Sequence, residues 1–133
     1  MATINLALNL QVVGGPKVLI SKSQSVEAYD KIEVLIDTDV TEKTVEIQPG
    51  ETTQVSFLLT ESSVYSCDLN YIVSEGDAAK DSSAIVLDQP HVYFGMGAVS
   101  ALGVAPKTLK FTNKSGKQAA IGILVGRDAT PAP

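Results

Sequence analysis

Tryptophan is absent from this 133-residue chain, histidine and cysteine occur once each, and aromatic residues make up only 5%. One cysteine, Cys67, excludes an intrachain disulfide. Few aromatics mean that the core is built from Val, Ile, Leu and Ala. No apolar run approaches the ~20 residues a bilayer-spanning helix requires. The start, Met1-Ala2-Thr3-Ile4-Asn5, carries no basic stretch followed by an apolar one, so no secretory signal is expected. The length suits one domain, expected over residues 1–126, with a mobile, proline-rich tail at 127–133.

Acids exceed bases, for a net charge of −5, which argues against nucleic acid as a partner. The charge is uneven along the chain. Residues 1–88 hold 14 acids and 5 bases, whereas residues 89–133 hold one acid and five bases, Lys107, Lys110, Lys114, Lys117 and Arg127. Two arrangements follow. Either strands of both halves interleave and the surface averages out, or a basic edge meets an acidic face on a neighbouring subunit.

Period-two alternation dominates what is present. Ile4, Leu6, Leu8, Leu10 and Val12 alternate with polar or small residues, the pattern of a half-buried strand. Gly14-Gly15-Pro16 ends it, and Val18-Leu19-Ile20 reads as a short second strand. A third runs through Val26, Ala28, Ile32, Val34 and Ile36, with a bend expected at Asp30. Val45 and Ile47 precede a Pro49-Gly50 turn. Further strands are expected at Val55–Leu59, Cys67–Val73, Ala84–Leu87 and His91–Phe94, with a polar loop or helical turn at 75–83. Leu109–Phe111 and Ile121–Val125 flank a turn at Asn113-Lys114-Ser115-Gly116-Lys117. Asn113-Lys114-Ser115 fits a glycosylation sequon but reads as turn chemistry, with Asn adopting the left-handed conformation. The expected fold is all-β: an antiparallel β-sandwich of about eight strands, jelly-roll-like, with an immunoglobulin-like sandwich as the alternative.

Each candidate site fails on spacing or partner. His91 with Asp88, Cys67 or a serine lies in no nucleophile motif, so His91 is read as a hydrogen-bonded strand residue and Cys67 as a small buried hydrophobe. Asp37, Asp39 and Glu42, and likewise Glu75, Asp77 and Asp81, offer oxygen ligands, but the first group lacks the spacing of a calcium loop. Gly95-Met96-Gly97 has Ser100 where a phosphate-cradling run has a third glycine. No catalytic residue, metal or cofactor is expected. Tyr29, Tyr65, Tyr71 and Tyr93 are scattered, which weakens a carbohydrate-binding or adhesion reading that would use an aromatic platform. The uncharged stretch 95–106 is either an interface or a cap over one end of the sandwich. Its Met96, Val99, Leu102 and Val104, with the five basic residues, are the interface candidates.

Thr108–Gly126, a strand, an Asn/Ser/Gly turn and an Ala/Ile/Val strand, resembles the C-terminal hairpin of small tailed-phage virion proteins. Val45–Phe57 resembles the turn-then-strand of many prokaryotic and viral β-sandwiches. Together they cover about a quarter of the chain. The resemblance implies a capsid decoration, or cement, protein or another structural component of the particle. Its expected partners are the major capsid or other virion protein and further copies of itself, a trimer being favoured, with no nucleic acid and no membrane. Its expected place is the virion.

Overall fold

The computed structural model describes residues 2–47 and 54–128. The expected Pro49-Gly50 turn and residues 129–133 lie outside them. Ten strands occur among the described residues: β1 (Ala2–Gln11), β2 (Lys17–Val26), β3 (Ala28–Ile36), β4 (Val40–Glu46), β5 (Gln54–Ser62), β6 (Leu69–Ser74), β7 (Ile85–Val86), β8 (His91–Phe94), β9 (Thr108–Asn113) and β10 (Ala119–Asp128). One short helix, α1 (Met96–Ser100), and a 3-10 turn at Ala78–Lys80 complete the set.

The fold is an all-β antiparallel sandwich with an added arm. One sheet runs β3-β10-β5-β8 and the other β4-β9-β6-β7. Each chain connection within the sandwich crosses between sheets except that from β6 to β7. β1 and β2 pair only with each other, as a separate two-stranded ribbon. Alternation fixes the register: Leu58, Ile121, Ile123 and Val125 face inward from the first sheet, against Leu69, Tyr71, Val73, Leu109 and Phe111 from the second. Each large apolar side chain taken from water contributes about 1.5–3 kcal/mol.

Several local expectations change. β2 is ten residues long, because its second half, Ser21–Ser25, is polar yet paired residue for residue with β1. The break falls at Glu27, whose backbone N–H donates to Asp128 Oδ1 at 3.4 Å. Asp30 needs no bend, since it faces inward at the end of the sandwich and pairs with Arg127. Arg127 and Asp128 belong to β10, not to a tail. Cys67 is exposed: it sits in a turn where Ser66 accepts from the N–H groups of Asp68 and Leu69, and the strand starts only at Leu69. Asn113 has a negative φ, and Gly116 (φ 82°) takes the left-handed position instead. Asn113 works through its buried amide. Nδ2 donates to the carbonyls of Ile36, Asp37 and Lys117, and Oδ1 accepts from the Ser115 N–H and hydroxyl.

Candidate functional site

The feature with no role in the sandwich is the β1–β2 arm. Its alternation puts Ile4, Leu6, Leu8 and Leu10 on one face, directly across from Gln24, Lys22, Ile20 and Val18. Thr3, Asn5, Ala7 and Asn9 share the other face with Ser25, Ser23, Ser21 and Leu19. Ser23 donates to Asn5 Oδ1 across the polar side at 2.8 Å. The tip is held by the Val12 N–H donating to the Pro16 carbonyl, with Gly14 at φ 77°.

Among the described residues, the arm is anchored at its root. Ile4 and Val26 close over Gly126, and Val26 is buried. Gln24 Nε2 donates to the Ser56 carbonyl at 3.1 Å. Phe57, beside Gly126, meets Phe94 edge-on, with ring centroids 5.8 Å apart. Beyond the root the apolar face turns to solvent: Leu10 is 55% exposed, Val18 47% and Val13 at the tip 98%. An isolated two-stranded ribbon is marginal in water, and an apolar face of this kind on a monomer marks a contact surface.

The outer face of β3-β10-β5-β8 forms a second surface. Its cross-strand rows are Tyr29-Gly126-Phe57-Phe94, Lys31-Leu124-Leu59-Val92, Glu33-Gly122-Glu61 and Leu35-Ala120. The last two rows line an open groove of about 620 Å³. Gly122 and Ala120 make its floor, and Glu33 and Glu61 its rims.

A polar cluster lies between the sheets. The Tyr71 hydroxyl and His91 Nδ1 are 2.7 Å apart, and the Tyr93 hydroxyl is 3.4 Å from that of Tyr71. Burial pushes the Tyr71 phenol well above its ordinary value and His91 below its own. Tyr71 therefore keeps its proton, and its hydroxyl shares a hydrogen bond with His91 Nδ1 whose direction follows the imidazole tautomer. The arrangement joins β6 to β8 across the core. His91 is thus a hydrogen-bonded strand residue, as expected.

The remaining candidates are dispersed. Val99 is buried in the core, and Leu102 and Val104 pack against it, so much of 95–106 caps the sandwich, while Met96 is 53% exposed. Lys110 pairs with Asp81 at 2.9 Å, Lys114 with Asp39 at 2.6 Å and Arg127 with Asp30. Lys107 is half-buried and Lys117 exposed. The sheets interleave the two halves of the chain, β10 between β3 and β5 and β9 between β4 and β6, so charge separated in sequence is neutralised in space. Asp37 accepts from Gln118 Nε2, and Asp77 accepts from the Ala79 N–H. Among the tyrosines, Tyr71 is buried, whereas Tyr29 and Tyr65 stand apart at the surface.

Sequence reasoning found β1 as a strand but missed the arm as a site. The signal was available: residues 2–26 contain two lysines and no acid, in a chain otherwise rich in acids. Comparison with protein-family models, with curated proteins and with solved structures returns no match.

Proposed function

We propose that this chain is a non-enzymatic structural subunit of a phage particle, a capsid decoration protein that binds through surface burial rather than chemistry. The observation that carries this reading is the arm: an amphipathic ribbon, anchored at one end, whose apolar face beyond Ile4 has no partner in the sandwich among the described residues. A subunit that acts alone gains nothing from such a ribbon, whereas one that joins a shell gains an anchor. The strand order, with β10 inserted between β3 and β5 and β9 between β4 and β6, supports reading the sandwich as a jelly-roll wrap, a scaffold used in capsid domains. The resemblance of residues 108–126 to tailed-phage virion proteins agrees with it.

The mechanism is contact. Apolar side chains of the arm leave water against a neighbouring subunit, and charged rims fix orientation. Oligomers with closed symmetry would present several copies of the same charged rims to the shell at once.

Co-sedimentation with empty shells, assembled from the major capsid protein of the particle it is proposed to decorate, tests the proposal. Saturable binding is expected, weakened at least ten-fold by the Leu8→Asp/Ile20→Asp variant. Wild-type protein that stays in the supernatant at every concentration overturns it.

A further inference from the structure

We infer that the arm of one copy docks on the outer face of β3-β10-β5 of a second copy, its apolar face along Ala120 and Gly122 and its Lys22 against Glu61. This deepens the assembly reading above and rests on it for the arm's role, but it names the partner as this same chain.

Three observations point to a second copy. The first is packing already present within the chain. At the root, Ile4 sits on the outer face of β10 over Gly126, where a Cβ would lie 2.8 Å from Ile4 Cδ1. Gly122 and Ala120 lie on that same outer face of β10, two and three rows further along. The strand thus repeats, further along, the small residues on which it already seats an arm, with the Glu61 side chain lying over Gly122.

The second observation is charge. Residues 2–26 are wholly without acids, and Lys22 lies on the apolar face, opposite Leu6. The groove is rimmed by Glu33 and Glu61, in one row with Gly122 between them. Glu61 leans over that glycine, with Oε1 2.9 Å from where a Cβ would stand. A lysine arriving on an apolar ribbon meets a carboxylate at the groove wall, and the pairing sets the register of the docked arm.

The third is size. The free part of the arm, from Leu6 and Lys22 to the tip, is roughly 25 Å long and 10 Å wide at ordinary strand dimensions. One seated arm buries roughly 500 Å² counting both partners, so two seated arms reach the ~1,000 Å² that a specific interface needs. Reciprocal exchange between two copies places both seated arms in one interface and fills both grooves.

Disulfide trapping in solution tests the inference. In a Cys67→Ser background, a Leu8→Cys copy is mixed with an Ala120→Cys copy under mild oxidation, and linked peptides are read by mass spectrometry. A Thr44→Cys copy, exposed on the opposite sheet, is the control. Intermolecular linkage of residues 8 and 120 well above the control is expected. Charge reversal gives a second readout: Lys22→Glu and Glu61→Lys each weaken self-association, by up to about ten-fold, and the two together restore it. Linkage no greater than the control, or a double variant as weak as the singles, overturns the inference. If linkage fails while wild-type protein still binds shells, self-docking falls and the structural reading stands. If linkage forms but shells are not bound, self-docking stands and the phage reading falls.

Discussion

Ile4 of the arm packs on Gly126 of β10 so closely that a Cβ added to the glycine would stand 2.8 Å from Ile4 Cδ1 and 3.1 Å from Val26 Cγ1. Nothing larger than hydrogen fits between arm and sheet. Gly126→Ala is therefore expected to lift the arm root and to cost about 1–3 kcal/mol, the range for overpacking. Trimming Ile4 to Ala in the same chain should recover part of the loss, because the two sites are in contact. Chemical denaturation of the single and double variants measures both effects.

The Tyr71–His91 pair predicts a stability that depends on pH at both ends. His91 is held below its ordinary 6.5, so below that pH the unfolded chain takes up a proton that the folded chain resists. Its contribution is complete above about pH 6.5 and is lost as pH falls. Tyr71 is raised above its ordinary 10.0, so its contribution is present below that pH and is lost as the unfolded phenol ionises at higher pH. Tyr71→Phe should remove the alkaline loss and cost about 1–2 kcal/mol at pH 7 through the missing hydrogen bond. Denaturant midpoints from pH 5 to 11, for wild type and Y71F, check the two legs.

Asn113 ties the β9–β10 turn to the end of β3. The two N–H hydrogens of its amide serve the carbonyls of Ile36, Asp37 and Lys117, and its Oδ1 receives two donors from Ser115. Asn113→Ala leaves those carbonyls without their donor and is expected to cost about 2–4 kcal/mol. Asn113→Asp should do little better, since a carboxylate cannot donate. Thermal unfolding of the two variants, with Ser115→Ala as the milder comparison, decides it.

Asp81 and Lys110 link the loop after β6 to β9. The Ser74 hydroxyl and the Lys110 ammonium hold the Asp81 carboxyl below its ordinary 3.8. A carboxyl with a depressed value stabilises the fold above its unfolded pKa, and that stability is lost as pH falls through the folded one. Asp81→Asn should therefore lower stability at pH 7 and flatten the acid limb below pH 4. An unchanged acid limb would show that Asp81 takes no part in it.

The sandwich was largely legible because alternation reports which face of a strand is buried. Ile121, Ile123 and Val125, or Leu69, Tyr71 and Val73, could be placed inward without knowing their partners. The arm was not legible for the same reason. Leu6 and Leu8 alternate as core residues do, and periodicity does not say whether a face meets its own chain or another. Ser21–Ser25 carry no apolar period, so the length of β2 came only from pairing with β1. The interface candidates were chosen from composition: an uncharged segment and a run of basic residues. Composition is blind to the tertiary placement that buries Val99 of α1 and sets Asp81, Asp39 and Asp30 beside Lys110, Lys114 and Arg127.

The central claim is that the arm is a device for association. Light scattering behind size-exclusion chromatography, on wild type and on Leu8→Asp/Ile20→Asp, tests it most directly. Both substitutions lie on the arm outside the sandwich core, so circular dichroism should stay close to wild type. The account predicts a wild-type oligomer and a folded monomeric variant. A wild-type monomer, or a variant that assembles as well as wild type, would contradict it.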